Sequence, residues 1–354
     1  MRSTLWKQFQ RSPLLQGCFG MVLSLCVLGT LRFYPNIAEA LQRHNGPREV
    51  LKVGFLPVTC HLTCPVTDYA TRTSKFARFE SWRFMDFPTL CEAFKSGRLQ
   101  ASFILAPLAM KLVEEGVPCK IVYLGHRDGS TLIVPKNSKA KSLRDLKGCT
   151  LAIPSFTSNQ YLVLRRRMEQ EGMQPNDIKF VQMAPPDMPA ALAAHAIDAF
   201  FVGEPYPGKA EMMGIGRPLY YAKDLWPGFV SCVLVVSDKL IHSNPRLVAD
   251  LVRGIADSGA WADKHRIEAA QVVAPYYRQD PKLLRYVLTT PPDRVSYSML
   301  TPTDKDMEDI MDEAVKVGVL KHKLPLSAFL DRSFIPRHIV PIKITPPPTT
   351  AQAG

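Results

Sequence analysis

Residues 59–64 of this 354-residue chain read Thr-Cys-His-Leu-Thr-Cys, placing two thiols, an imidazole and two hydroxyls within six positions. Thiolate and imidazole are soft metal ligands, and two thiols can pair in an oxidising compartment. Hydroxyl and imidazole donors beside free backbone N–H groups at a helix start can instead hold an anion. The order Cys-His-x-x-Cys is not that of haem attachment, and no second ligand cluster closes a tetrahedral site. We therefore expect no metal and no cofactor. A local Cys60–Cys64 disulfide, or two free thiols beside a pocket, is expected. Thr59, His61 and Thr63 are the predicted contacts to a small molecule, with Thr63 or Thr67 equally suited to capping the helix that follows.

A second constellation lies at Thr157-Ser158-Asn159-Gln160, a helix start rich in hydroxyl and amide groups, which suits an anion or polar ligand. Glu204-Pro205-Tyr206 follows an apolar run and adds Glu204 and Tyr206 to the predicted contacts. Glu204 suits a ligand carrying an amine or hydroxyl donor, and a bare anion only if Arg127 or His61 neutralises it. Ser130 offers a hydroxyl, and Ala106, before Pro107, a backbone edge. Arg127 and Asp128 read as a surface turn rather than an anion site, and Tyr221 and Trp226 as packing residues. No Ser-His-Asp order, P-loop or HExxH run occurs, so no catalytic residue is expected and the chain is not read as an enzyme.

These residues need elements to position them. From residue 51 onward, short β-branched runs alternate with helical patterns, the mark of parallel α/β units. The patterns predict strands over 51–56, 82–87, 102–105 and 120–124, with helices over 66–79, 89–96 and 108–115. A second set follows: strands over 150–153, 178–183 and 197–202, and helices over 158–171 and 188–194. Long helices then dominate from Asn244 onward. Two such sets imply two lobes, with the chain crossing between them over 131–134 and again over 232–236. Lobe 1 is then 50–134 with 232–338, lobe 2 is 135–231, and 341–354, rich in Pro, Thr and Ala, is a disordered tail. A ligand sits between such lobes, where the carboxyl ends of strands meet helix N-termini.

Three motifs carry a family resemblance. Leu51-Lys52-Val53-Gly54-Phe55-Leu56-Pro57 resembles the opening of substrate-binding proteins of the nitrate/sulfonate/taurine (NMT1/THI5-like) ABC importer family. Ser142-Leu143-Arg144-Asp145-Leu146-Lys147-Gly148 with Leu151-Ala152-Ile153-Pro154 resembles that family's second-lobe entry. Pro189-Ala190-Ala191-Leu192 through Ile197-Asp198-Ala199 to Gly203-Glu204-Pro205 resembles its helix–strand–loop run, with His195-Ala196 where a glycine is usual. Across roughly 50–335 the resemblance implies a type II periplasmic-binding-protein fold. It further implies a solute-binding component, acting as a monomer, that delivers a small polar or anionic ligand (nitrate, sulfonate, bicarbonate or pyrimidine-like) to an ABC permease. An anchored ligand sensor, and an enzyme resembling the thiamine-pyrimidine synthases, are the alternatives, although the cysteine-rich motif of those synthases is missing.

The first residues agree with export. Arg2, Lys7 and Arg11 precede an uncharged run over 13–31, and Ala38-Glu39-Ala40 has the small residues of a cleavage site. The run is also close to the length of a membrane anchor, so residues 1–40 are a signal peptide or an anchor and the rest is periplasmic or otherwise extracytoplasmic. The formal charge of +12 can steer anions. Arg165-Arg166-Arg167 has no interleaved aromatics, so no nucleic-acid partner is expected.

Overall fold

The computed structural model describes residues 50–72 and 77–345. The predicted export segment and residues 346–354 of the predicted tail lie outside them. Val50–Phe55 (β1) starts a β–α succession through Thr63–Thr71 (α1), Arg78–Arg83 (β2), Phe87–Lys95 (α2), Ala101–Leu105 (β3), Ala106–Glu114 (α3) and Cys119–Leu124 (β4). Arg127–Asp128 (β5) and Ser130–Pro135 (β6) lead into the second succession: Thr150–Ile153 (β7), Asn159–Gln170 (α4), Lys179–Gln182 (β8), Met188–Ala193 (α5), Ala199–Gly203 (β9), Tyr206–Met212 (α6), Gly216–Tyr221 (β10) and Ala222–Leu225 (α7). The chain returns through Cys232–Ser237 (β11) to Asp238–Ser243 (α8), Pro245–Lys264 (α9), Arg266–Tyr277 (α10) and Pro281–Thr289 (α11). Val295–Ser296 (β12), Asp304–Lys316 (α12) and Leu326–Phe329 (α13) follow.

Two five-stranded sheets result, ordered β2-β1-β3-β11-β4 and β10-β6-β9-β7-β8. Each is parallel at its β–α units, and each contains one strand laid antiparallel to its neighbours. That strand is β11 between β3 and β4 in the first sheet, and β6 between β9 and β10 in the second. Both are the strands that follow a passage from one sheet to the other. Central strands are apolar on both faces because helices cover both sides: β3, β9 and the first five residues of β11 are buried throughout.

Four expectations differ from the structure, the first being the helix over 66–79, which ends at Thr71 and leaves 78–79 to the next strand. Strand β2 occupies 78–83, not 82–87, because the Asp86 side chain accepts from the Thr89 N–H at 2.8 Å and caps α2; a capping residue ends the strand before it. Segment 131–134 lies inside the second sheet as part of β6, so the first passage falls at 125–129, where β5 pairs with β12. Residues 341–345 are docked rather than loose. Ile342 donates its N–H to Asp257 O at 3.1 Å, Thr345 O accepts from Tyr69 Oη at 2.9 Å, and Ile342 and Ile344 pack on the core. Two isoleucines there outweigh a composition that otherwise reads as disorder. Among the described residues, no helix is long and apolar enough to cross a membrane.

The passage at 125–129 is packed tightly against the loop after β1. A Cβ on Gly125 would stand 2.1 Å from Cys60 O and 3.2 Å from Cys232 O. We predict that Gly125→Ala destabilises the protein by about 1–3 kcal/mol, read by denaturant unfolding. An unchanged midpoint would contradict this packing.

Candidate functional site

The loop Thr59–His61 leaves the carboxyl end of β1, and its residues are all buried. Thr59 touches the second sheet directly: its N–H donates to Glu204 O, just past β9, at 2.7 Å. Its hydroxyl lies 3.1 Å from His126 Nε2, at the end of β4. From the other side, Ser158 caps α4, accepting from the Tyr161 N–H. That places Asn159 and Gln160 on the first helical positions, facing the two passages. Asn159 Nδ2 donates to Val230 O, and Gln160 Nε2 donates to Ser130 Oγ at 3.0 Å and Ser231 Oγ at 3.1 Å. The buried side-chain atoms with no hydrogen-bond partner among the described residues include His126 Nδ1, Asn159 Oδ1 and Gln160 Oε1 here, and His61 Nε2, Thr63 Oγ1 and Tyr206 Oη on other predicted contacts. Such atoms are costly unless something completes them. Burial pushes the His126 imidazole down to about 4, so it is neutral at pH 7.

A groove of about 380 Å³ lies beside this cluster, between α2 and α3 on one side and Ser155, Phe156, Thr157 and Gln182 on the other. Phe87 links the two, its ring edge-on to His61 at 6.2 Å. Thr157 closes a local turn through Ser155 Oγ at 2.7 Å.

Most charge near the junction is internally paired; Asp128, in the passage, is the exception, with Oδ1 buried and unpartnered and burial pushing its carboxyl up to about 6. Glu204 is fully buried. Its Oε1 accepts from Thr131 Oγ1 at 2.7 Å and its Oε2 from the Gly208 N–H at 2.9 Å. Arg294 Nη1 stands 3.6 Å from Glu204 Oε1, while its Nη2 reaches Glu211 at 2.7 Å. Burial pushes the Glu204 carboxyl up, opposed by the Arg294 guanidinium and then by the Gly208 and Thr131 hydrogen bonds. Arg127 forms a two-pronged pair with Asp306, at 2.9 and 2.8 Å, and also donates to Gly228 O and Met299 O.

Of the two arrangements expected for Cys60 and Cys64, the structure has the free thiols and not the local disulfide. Cys60 Sγ lies 2.9 Å from Cys232 Sγ, on β11, and not in a bond to Cys64, which sits 3.4 Å from Ser81 Oγ. Residues 60 and 64 straddle the turn into α1 and diverge to opposite neighbours. Cys60, His61 and Cys232 bring their sulfur and ring-nitrogen atoms within 4.8 Å of one another. The set fits a metal poorly. His61 Nδ1 accepts from the Leu56 N–H at 2.8 Å, which leaves the proton of the neutral ring on Nε2 and makes that nitrogen a donor.

Of the residues predicted from sequence, Thr59, Ser130, Asn159 and His61 lie in or against this cluster. Ser158 supports it as a cap. Ala106 sits beside it, its N–H 3.4 Å from Ser231 O. Thr157 lines the groove. Thr63 faces α9, where a Cβ on Gly259 would stand 3.6 Å from Thr63 Cγ2; Tyr206 is buried at the start of α6. Glu204 contributes its backbone carbonyl, while both side-chain oxygens are taken within the protein. His126, Ser231 and Cys232 are not singled out by the sequence, and Gln160 enters there only as part of the helix start at 157–160. A histidine and a serine flanking the two passages were the available signal.

Two α/β lobes joined by two passages, with unpartnered polar atoms gathered at the junction, define a type II periplasmic-binding-protein fold. The chain belongs to the NMT1-like family, whose model matches residues 44–276. It is 26% identical over 266 residues to the nitrate import ATP-binding protein NrtC of Synechocystis, covering 68% of this chain and 39% of that relative; it thus spans well under half of that protein's length. Among solved structures it resembles the ligand-binding component of an ABC-type import system from Staphylococcus aureus, with zinc bound (25% identity, TM-score 0.74, 81% of this chain and 98% of that one). It also resembles the periplasmic nitrate-binding protein NrtA of Synechocystis (16% identity, TM-score 0.73, 79% and 84%).

Removing the cation from the buried pair tests its role. We predict that Arg294→Met costs about 3–5 kcal/mol at pH 8, because Glu204 is left as an uncompensated buried charge. Its carboxyl then rises further above its unfolded value. A carboxyl with a raised folded pKa takes up protons on folding between the unfolded and folded values, so stability falls as pH climbs through that window. The deficit should therefore be smaller at pH 5 than at pH 8 in urea titrations; equal deficits would show that Glu204 is not the group left exposed to the loss.

Proposed function

We propose that this chain is the extracytoplasmic solute-binding component of an ABC importer, capturing a small polar or anionic molecule between its lobes and presenting it to a membrane permease. The observation that carries this reading is that His126, Asn159 and Gln160, which flank the two passages between the sheets, each keep a buried side-chain atom with no hydrogen-bond partner. Thr59, Ser130 and Ser231 stand beside them. A solute touching both lobes favours the closed arrangement by its differential contacts. The fold match and the family membership support the same class.

The unpartnered atoms narrow the solute. Asn159 Nδ2 donates to a carbonyl, which can only accept, so Asn159 Oδ1 is a buried acceptor left without a donor. An acceptor there wants an N–H or O–H on the solute. We infer a molecule with a donor at one end and an anionic or acceptor group at the other, held by neutral dipoles. An aminosulfonate has that character, and bare nitrate or bicarbonate has less of it.

A thermal-shift and calorimetric panel of taurine, an unsubstituted alkanesulfonate, nitrate and bicarbonate tests this. The expected result is the largest shift with taurine, and roughly tenfold weaker binding in Asn159→Ala, the equivalent of one hydrogen bond. Nitrate as the best of the four, with Asn159→Ala unchanged, would remove the donor-bearing solute.

A further inference from the structure

Six cysteines lie among the described residues, and five are held as ordinary thiols. Burial pushes Cys64, Cys91, Cys119 and Cys232 up, Cys91 and Cys119 to about 12, and Cys149 is raised as well. Cys60 departs from them. It is equally buried and desolvation pushes it up, yet the hydrogen bond from Cys232 beside it and the His61 N–H hold it below its ordinary value. The geometry gives the cause. The Cys232 sulfur is 2.9 Å away, and the His61 ring, its Nε2–H without another partner, is within 4.8 Å of both sulfurs. A thiolate with a donor at hand and a second thiol in contact is the arrangement that attacks a disulfide and is then resolved. The two residues are 172 positions apart, so sequence spacing does not bring them together; the fold does.

Their positions join this chemistry to the candidate site. Cys60 lies between Thr59 and His61, and Cys232 follows Ser231. While Cys60 is a thiolate, the His61 donor faces an anion that belongs to the protein, and a negative charge stands against any anionic solute.

We propose that Cys60 and Cys232 are a thiol-oxidation site that gates the cleft: the reduced pair opposes an anionic solute, and the Cys60–Cys232 disulfide admits it. The Cys60 thiolate attacks one sulfur of a disulfide oxidant, forming a mixed disulfide and expelling the first thiolate. Cys232, giving up its proton, then attacks the Cys60 sulfur and expels the second. Atoms and electrons balance: the pair loses two electrons, the oxidant's S–S bond becomes one thiolate and one thiol, and the Cys232 proton ends on the latter. The negative charge leaves with the oxidant's sulfur, and the His61 N–H is freed for a solute anion. Opening of the lobes is the route by which the oxidant reaches the pair.

The oxidation site stands on the sulfur geometry alone; the gating rests on the solute-binding reading above. Both are tested on the purified full chain, reduced with dithiothreitol or oxidised with glutathione disulfide at pH 7.5. Peptide mapping after alkylation of the oxidised form should show a Cys60–Cys232 cross-link and the loss of two titratable thiols. Cys60→Ser and Cys232→Ser should each abolish it. A Cys60–Cys64 link, a persistent glutathione adduct or all eight thiols of the chain still free would overturn the site, whatever the solute results. Calorimetry with taurine and with nitrate as probes should give roughly tenfold tighter binding to the oxidised form for at least one of them. Equal binding in the two forms, including none in either, would overturn the gate. A cross-link found together with no binding of either probe to either form would count against the solute reading and leave the oxidation site standing.

Discussion

The buried carboxylate of Glu204 is the constraint around which the junction is built. An ionised carboxyl with no exposure is several kcal/mol less favourable than one in water unless its oxygens are matched. Thr131 on β6, the Gly208 N–H on α6 and Arg294 from beyond α11 supply the match. Three separate stretches of chain must therefore converge for one side chain to be tolerated. Gly208 shows how little room is left: a Cβ there would meet Val287 Cγ1 at 2.2 Å and both Arg294 Nη1 and Glu204 Oε2 at 3.3 Å. Because the Glu204 carbonyl accepts from Thr59, the loop after β1 is registered against the second sheet by the same residue.

That brace separates structural charge from the polar atoms of the site. Glu204, Glu211, Arg294, Arg127 and Asp306 are paired among themselves as charges, which leaves the hydroxyls, amides and imidazoles of the candidate site, together with the Asp128 carboxyl in the passage, as the polar groups without a charged partner. Neutral dipoles fixed by packing select by hydrogen-bond direction more than by net charge. The exception is Cys60, whose thiolate would bring a formal charge into an otherwise neutral surround. The strands β5 and β12, with Arg127 tied to Asp306, Gly228 O and Met299 O, place paired backbone and a two-pronged ion pair at the passage. A hinge motion needs such a defined axis.

Much of this was legible in the sequence, where local pattern decides the outcome. The alternation of apolar strands with capped helices gave two α/β sets, and β1, β3, β4, β7 and β11 fall within a residue or two of where their runs place them. Thr59, His61, Ser130 and Asn159 stood out by type and by position after a strand or at a helix start. What the sequence hid depends on contacts made over long separations. Nothing near Glu204 announces Arg294, and nothing near Cys60 announces Cys232. By sequence distance alone Cys64 is the nearer neighbour of Cys60, while the fold sets Cys232 against it. The start of β6 was assigned to the wrong sheet for a related reason: its apolar run is the same whichever sheet accepts its hydrogen bonds. Residues 341–345 misled by composition, since two isoleucines among prolines are enough to dock.

The central claim, that a solute bridges the two sheets at Thr59, His126, Asn159 and Gln160, is tested most directly by hydrogen–deuterium exchange with and without a saturating aminosulfonate such as taurine. The account predicts joint slowing of exchange at the Thr59 amide, which donates across the junction, and in 126–131, 158–161 and 228–232. Protection confined to the groove walls at 87–111, with the Thr59 amide unchanged, would contradict it.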